Sequence, residues 1–135
     1  MGSILLVEAE PTTSEEWSTA IAACGHSVLN ASGMREALRT VQDGGIDVVV
    51  VDVYDPRAGI VELAYGVNAL PDAPPIILVS ASPAAPGISV RIGAASFVPK
   101  PCEPSEVVTA VGRLLWRIRP AFVADELSGR VRQVG

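Results

Sequence analysis

Residues able to do phosphoryl and cation chemistry recur at the ends of short apolar runs. Asp52 closes Ile46-Asp47-Val48-Val49-Val50-Val51-Asp52, and Lys100 closes Phe97-Val98-Pro99-Lys100-Pro101. Lys100 is the only lysine of the chain; every other basic residue except the single His26 is arginine. A lone lysine in an arginine-rich sequence points to a use of its shape, a compact ammonium on a flexible stem. Glu8 and Glu10 follow the run Ser3-Ile4-Leu5-Leu6-Val7, and Ser80-Ala81-Ser82 follows Ile76-Ile77-Leu78-Val79. Carboxylates of this kind hold a hard cation such as Mg²⁺, a hydroxyl and an ammonium hold phosphate oxygens, and one Asp can serve as nucleophile. Singly, each residue also suits a solvated strand end; the set in this order is far more specific.

The elements that would position these groups follow from hydrophobic periodicity. Ser3–Val7, Ser27-Val28-Leu29, Val48–Val51, Ile76–Val79 and Phe97-Val98 read as strands, and most do not alternate with polar residues. Continuous apolar strands are what a parallel sheet covered on both faces requires. Helical spacing links them. Thr13 to Cys24 carries Trp17, Ala20, Ile21 and Cys24, with Thr12, Thr13 or Ser14 as candidate caps and Gly25 as a stop. Gly33 to Gln42 and Ile60 to Leu70 are the next two helices. Pro83, Pro86 and Gly87 leave room for only a short helix through Ile88 to Ile92. Pro104 to Ile118 is the strongest helix, capped by Glu103, with Val107, Val108, Val111, Leu114, Leu115 and Ile118 in one stripe. Trp17 and Trp116 read as packing residues on their helix faces. Five strands alternating with helices predict an α/β fold, a doubly wound five-stranded parallel sheet. In such sheets ligands bind beyond the carboxyl ends of the strands, where Glu8, Asp52, Ser80 and Lys100 would converge.

Composition narrows the functional classes. A chain of 135 residues forms one domain with a real core, built here from Val, Ile, Leu and Ala because aromatic residues are only 4%. The net charge of −5 argues against direct nucleic-acid binding, although the charge is uneven. Residues 1–90 hold 3 bases against 11 acids, whereas residues 91–135 hold 7 against 4. Cys24 and Cys102 match no metal-binding spacing and read as buried or half-buried thiols in a reducing compartment, with a disulfide between them allowed but unsupported. His26 is assigned no chemistry. No basic segment followed by a long apolar run opens the chain, and no apolar stretch reaches the roughly 18 residues of a membrane span. A cytoplasmic protein without membrane contact is expected.

At these residues the chain resembles the receiver (response-regulator) domain of bacterial two-component signalling, over about the first 118 positions. Ile4-Leu5-Leu6-Val7-Glu8-Ala9-Glu10-Pro11 is similar to that family's opening strand and acidic pair. Val50-Val51-Asp52-Val53-Tyr54-Asp55-Pro56 resembles the strand bearing the phospho-accepting Asp, and Ile76 to Ala81 the strand ending in the switch Thr/Ser. Gly93-Ala94-Ala95-Ser96-Phe97-Val98-Pro99-Lys100-Pro101 resembles the segment with the aromatic switch position and the Lys-Pro. The resemblance implies flavodoxin-like topology with strand order 2-1-3-4-5, a receiver domain over 1–119, and residues 120–135 as a tail or linker. It implies that Asp52 is phosphorylated, that Lys100 pairs with it, that Ser80 donates its hydroxyl to the phosphoryl group, and that Phe97 turns inward as Ser80 moves. It implies a Lys100-Pro101 peptide that is often cis in the family. Mg²⁺ would be held by Glu8, Asp52 and the Tyr54 backbone carbonyl. A sensor histidine kinase or phosphotransfer protein would be the partner, a homodimer is compatible, and the module would be a signalling element rather than an enzyme.

The departures from that pattern concern the metal and the output surface. The second acidic position holds Ala9, which has no donor atom, so Mg²⁺ binding is expected to be weak or absent unless Glu10 swings in. Gly59 arrives one residue earlier than usual after Asp52, and the stretch from Ser80 to Lys100 is about two residues short of the family's spacing. Two readings therefore stand: a receiver that accepts phosphate on Asp52 with impaired metal binding, or a pseudo-receiver acting by protein interaction alone. A small enzyme or flavin protein of similar topology is disfavoured, because Glu8-Ala9-Glu10-Pro11 would repel a phosphate where such proteins carry a phosphate loop.

Overall fold

The computed structural model describes residues 2–55 and 59–118. Pro56, the proline four residues beyond Asp52, and the tail or linker expected over residues 120–135 lie outside the described residues. Five strands, β1 (Ser3–Val7), β2 (Ser27–Ala31), β3 (Val48–Asp52), β4 (Ile76–Ser80) and β5 (Ser96–Pro99), form one parallel sheet in the order β2-β1-β3-β4-β5. This is the topology expected from sequence. The connections are α1 (Pro11–Ala22), α2 (Met34–Gln42), α3 (Ile60–Asn68) and α4 (Ala85–Arg91), and α5 (Pro104–Ile118) closes the chain's described part.

Period-2 alternation along the strands divides the core into two layers. Leu5, Val7, Val49, Val51 and Leu78 pack with Ala37 and Val41 of α2, Leu63 and Val67 of α3 and Ile88 of α4. Ile4, Leu6, Val48, Val50, Ile77, Val79 and Val98 pack with Trp17 and Ile21 of α1 and Val107, Val111 and Leu114 of α5. Residues Val48 to Val51 are fully buried, which is why their run needs no polar alternation. At about 25 cal/mol per Å² of apolar area removed from water, burial of this aliphatic set is the main term holding the layers together.

Several boundaries differ from the sequence expectation, each for a local reason. The first helix starts two residues early, at Pro11, because Glu10 rather than Thr12, Thr13 or Ser14 is its N-cap. The Glu10 carboxylate accepts from the Thr12 and Thr13 backbone N–H groups at 3.1 and 2.7 Å. That helix ends at Ala22, leaving Cys24 exposed in the following turn, contrary to its reading as a buried or half-buried thiol; Cys102 is half-buried, as expected, and both thiols are free. Helix α5 has the predicted bounds, and its Glu106 side chain reaches back to the Glu103 N–H at 2.7 Å, half of a capping box. Trp116 on that helix is 66% exposed, so it is not part of the buried core. Gly59, with φ of +89°, turns the chain into α3 in a conformation L residues rarely adopt. No described helix is long and apolar enough to cross a membrane.

Candidate functional site

Parallel pairing brings the carboxyl ends of β1, β3, β4 and β5 to one edge, with Asp52 opposite Val79 and Ser80 opposite Pro99. Asp52 is the last residue of its strand and only 5% exposed. A buried carboxylate requires a partner of opposite charge. Lys100 supplies it: its Nζ lies 2.6 Å from Oδ1 and 2.7 Å from Oδ2, a charge-assisted contact with both oxygens. The lysine is placed by the backbone, because its N–H donates to the Ser80 carbonyl at 3.1 Å; the peptide to Pro101 is cis, as expected. The Lys100 side chain remains about one-third exposed, so the ammonium faces both the buried carboxylate and the open edge.

Glu8 stands beside this pair. Its Oε1 accepts from the Glu10 N–H at 2.9 Å, while Oε2 is buried without a hydrogen-bond partner. Burial, the nearby Asp52 carboxylate, to which Glu8 could donate a hydrogen bond only when protonated, and the Asp52 charge push the Glu8 carboxyl up to about 7, against the opposing pull of the Glu10 N–H and Lys100. Glu10 is fully engaged elsewhere. The N–H groups of Thr13 and Thr12 hold its exposed carboxylate below the usual range, and a negative charge there suits the positive end of α1. Ala9 is exposed and offers only backbone.

A cleft of about 500 Å³ opens over these groups, bordered by Glu8, Glu10, Thr13, Asp52, Tyr54, Asp55, Ser82 and Lys100. Tyr54 projects from its rim, 98% exposed. A hollow of about 580 Å³ between segments 41–47 and 70–75 lies at the opposite end of the strands and contains none of this chemistry. Among the described residues no group of three or more His, Cys, Asp or Glu side chains gathers around a point. Two carboxylates do: the orphaned buried oxygen of Glu8 next to Asp52 fits a divalent cation as a sparse site, completed by water.

The other expected residues sit slightly apart. Ser80 is buried at 1% exposure, and its Oγ accepts from the Ser82 N–H at 3.1 Å; Ser82, not Ser80, borders the cleft. Phe97 is half-buried on the α2–α4 side of the sheet, packed on that layer of the core. Sequence reasoning missed Trp17 as a neighbour of the charges. The Lys100 Nζ lies over its indole, 5.4 Å from the ring centroid. The signal was present in the strand alternation: Glu8, Asp52 and Lys100 continue the parity of Leu6, Val50 and Val98, whose layer contains Trp17.

Comparison with known proteins places this fold in a family. The family model for the response regulator receiver domain matches residues 4–112. The response regulator MprA of Mycolicibacterium vanbaalenii is 30% identical over 128 residues, covering 91% of this chain and 54% of that protein. The chain spans about half the length of the curated relatives it matches. The signal receiver domain of a signal transduction histidine kinase from Syntrophus aciditrophicus superposes with a TM-score of 0.77 at 28% identity, covering 88% of this chain and 93% of that one. The response regulator TrrA of Thermotoga maritima, solved in complex with Mg²⁺ and BeF, gives a TM-score of 0.73 at 27% identity over 85% of this chain and 100% of that one.

Proposed function

We propose, for a chain that belongs to the response regulator receiver domain family, that Asp52 is a working phospho-acceptor whose metal seat is impaired. The observation that carries this reading is the buried Asp52 carboxylate gripped on both oxygens by the only lysine of the chain, at the floor of an open cleft. A carboxylate oxygen of Asp52 attacks phosphorus of a phosphoryl donor; the new P–O bond forms as the donor's bond to phosphorus breaks and the leaving group departs with its electron pair. Receiver domains take this group from histidine kinases or phosphotransfer proteins, and a protein of that kind is the partner proposed here. Lys100 holds the carboxylate before transfer and an oxygen of the acyl phosphate after it. Ser80 then donates its hydroxyl to the phosphoryl group, and Phe97 turns inward behind it. Mg²⁺, which receiver domains typically bind, would be held by Glu8, Asp52 and the Tyr54 carbonyl, and when bound would neutralise negative charge gathering on the transferring group.

Two features weaken that seat. Ala9 has no donor atom, and both oxygens of Glu10 are spent on the N-terminus of α1. The same features favour the second reading, a pseudo-receiver that acts by binding alone. Both readings take the receiver as a signalling module without enzymatic turnover of its own and without direct nucleic-acid contact; a homodimer is compatible with both. Incubation with acetyl phosphate and Mg²⁺ followed by intact-mass measurement separates the readings. Slow gain of one phosphoryl mass by the wild type, absent in Asp52→Ala, supports the phospho-acceptor. An unmodified mass after prolonged treatment, with an intact receiver labelled in parallel, would establish the pseudo-receiver.

A further inference from the structure

We infer that Trp17 is a positioning residue for Lys100, its indole forming an aromatic seat that holds the ammonium at the mouth of the phosphoryl site. The inference rests on the phospho-acceptor reading only for its kinetic consequence; the contact itself stands on geometry. Trp17 is the only aromatic side chain in the buried core of the described residues, 5% exposed in a layer that is otherwise aliphatic. One helical turn further from the cleft the same face of α1 presents Ile21, buried to 1% exposure. An aliphatic residue therefore satisfies this stripe away from the charges, and the aromatic one stands where Lys100 passes.

The ammonium is held from two directions. Both Asp52 oxygens lie within 2.7 Å of Nζ, and the Trp17 ring centroid lies 5.4 Å away, inside the range in which the negative face of an aromatic ring attracts a cation. Trp is the best of the aromatic residues for this contact, and partial burial strengthens it. Lysine needs such a seat because its stem has four rotatable bonds and, unlike arginine, no planar fork to fix its direction. At one-third exposure, Lys100 would otherwise have room to leave the carboxylate for solvent. When Asp52 carries a phosphoryl group, the ammonium has to shift from carboxylate to phosphoryl oxygen. A ring contact, which has no preferred hydrogen-bond direction, permits that shift while limiting the distance the ammonium can travel. The indole thus lowers the entropy lost on capturing the phosphoryl oxygen.

The single lysine makes the test direct. Protein labelled with ¹³C,¹⁵N-lysine gives one set of lysine resonances, all from Lys100. In the wild type its side-chain methylene protons are expected upfield of exposed-lysine positions because of the indole ring current. Trp17→Met should return them to exposed-lysine positions, and Trp17→Phe should keep part of the displacement. In the same variants, acetyl-phosphate modification of Asp52 is expected to slow by about threefold to tenfold for Trp17→Met, with Trp17→Phe between it and wild type. Should Trp17→Met fail to fold, as its amide spectrum would reveal, Trp17→Phe alone decides the resonance comparison. Wild-type lysine resonances at exposed positions, or resonances that neither substitution moves, overturn the inference. So does a phosphorylation rate unchanged in both variants. If no form of the protein, wild type included, is ever phosphorylated, the phospho-acceptor reading fails while the resonances still decide the Trp17–Lys100 contact.

Discussion

Replacing Glu8 by Gln should flatten the pH dependence of stability. In the folded protein the Glu8 carboxyl is raised from 4.5 to about 7, chiefly by burial and then by the hydrogen bond that its protonated form could give Asp52 and by that residue's charge. A proton that binds more tightly to the folded state stabilises it at low pH. The contribution is fully present below the unfolded value and is lost as pH rises through the folded one, between 4.5 and about 7. At about 1.4 kcal/mol per unit of pKa, a sealed carboxyl would lose roughly 3 kcal/mol over this window. Glu8 is only partly buried at the edge of an open cleft, so screening by water reduces the figure to about 1 kcal/mol. Glutamine keeps the shape of the protonated acid and can still donate toward Asp52, but it does not titrate. Urea unfolding at about pH 5 and about pH 8 measures the difference, since the wild type should lose about 1 kcal/mol more than Glu8→Gln between these conditions. Asp52, Lys100 and the Glu10 N–H face position 8 in both proteins, so the comparison isolates the Glu8 carboxyl within one unchanged frame. Parallel pH profiles for the two proteins would refute the reasoning, because they would show that Glu8 ionises freely despite its buried oxygen.

Other consequences of the geometry can be measured in the same preparations. Ala9→Asp supplies the missing donor next to Glu8, and Mg²⁺ titration followed by amide shifts should change from weak or unsaturated at millimolar levels to clearly saturable; tight binding by the wild type would show that another group already fills the place. Lys100→Met leaves the 5%-exposed Asp52 carboxylate without its cation and should cost about 2 kcal/mol in urea unfolding, largely recovered in the Asp52→Ala, Lys100→Met double variant. Gly59→Ala must adopt a φ of +89° and places a Cβ 3.0 Å from the Met34 Cγ, so a loss of about 1–2 kcal/mol is expected from the same unfolding curves.

The sheet was legible because its strands are unambiguous. Four consecutive valines, Val48 to Val51, can be buried on both faces only in the interior of a covered sheet, and their register against Ile4 to Val7 places the acidic ends of β1 and β3 side by side. The strong helix also had plain signals: Pro104 at its first position and a stripe through Val107, Val111 and Leu114. The first helix misled because Ser and Thr are the usual caps, and three of them were available. A glutamate took the place instead, one residue before a proline that can only occupy the first turn. That choice bears on the site, because a carboxylate committed to α1 is not free to replace the donor lost at Ala9. Trp17 escaped notice for a different reason. Helical spacing identifies which face of α1 is buried but not what covers each turn of it, and the lysine that covers this turn comes from a segment 83 residues later.

Strand parity also explains why the site needs two kinds of residue on two sides of one sheet. Glu8, Asp52 and Lys100 continue the alternation of Leu6, Val50 and Val98, the layer beneath α1 and α5, and Trp17 meets them there. Ser80 continues Leu78, and Phe97 packs in that same layer beneath α2, α3 and α4. Charge is therefore handled on one face, while the hydroxyl and aromatic expected to respond to it belong to the other. Helices cannot connect the two, because the sheet lies between them. The strand ends can: the Lys100 N–H donates to the Ser80 carbonyl at 3.1 Å, and the Ser80 Oγ accepts from the Ser82 N–H at the cleft wall. A displacement of Lys100 toward a phosphoryl oxygen would pull on Ser80, the residue proposed to donate its hydroxyl to the same phosphoryl group. A response at Phe97 to a change at Asp52 thus requires no contact between their side chains, only that β4 and β5 shift together at their carboxyl ends.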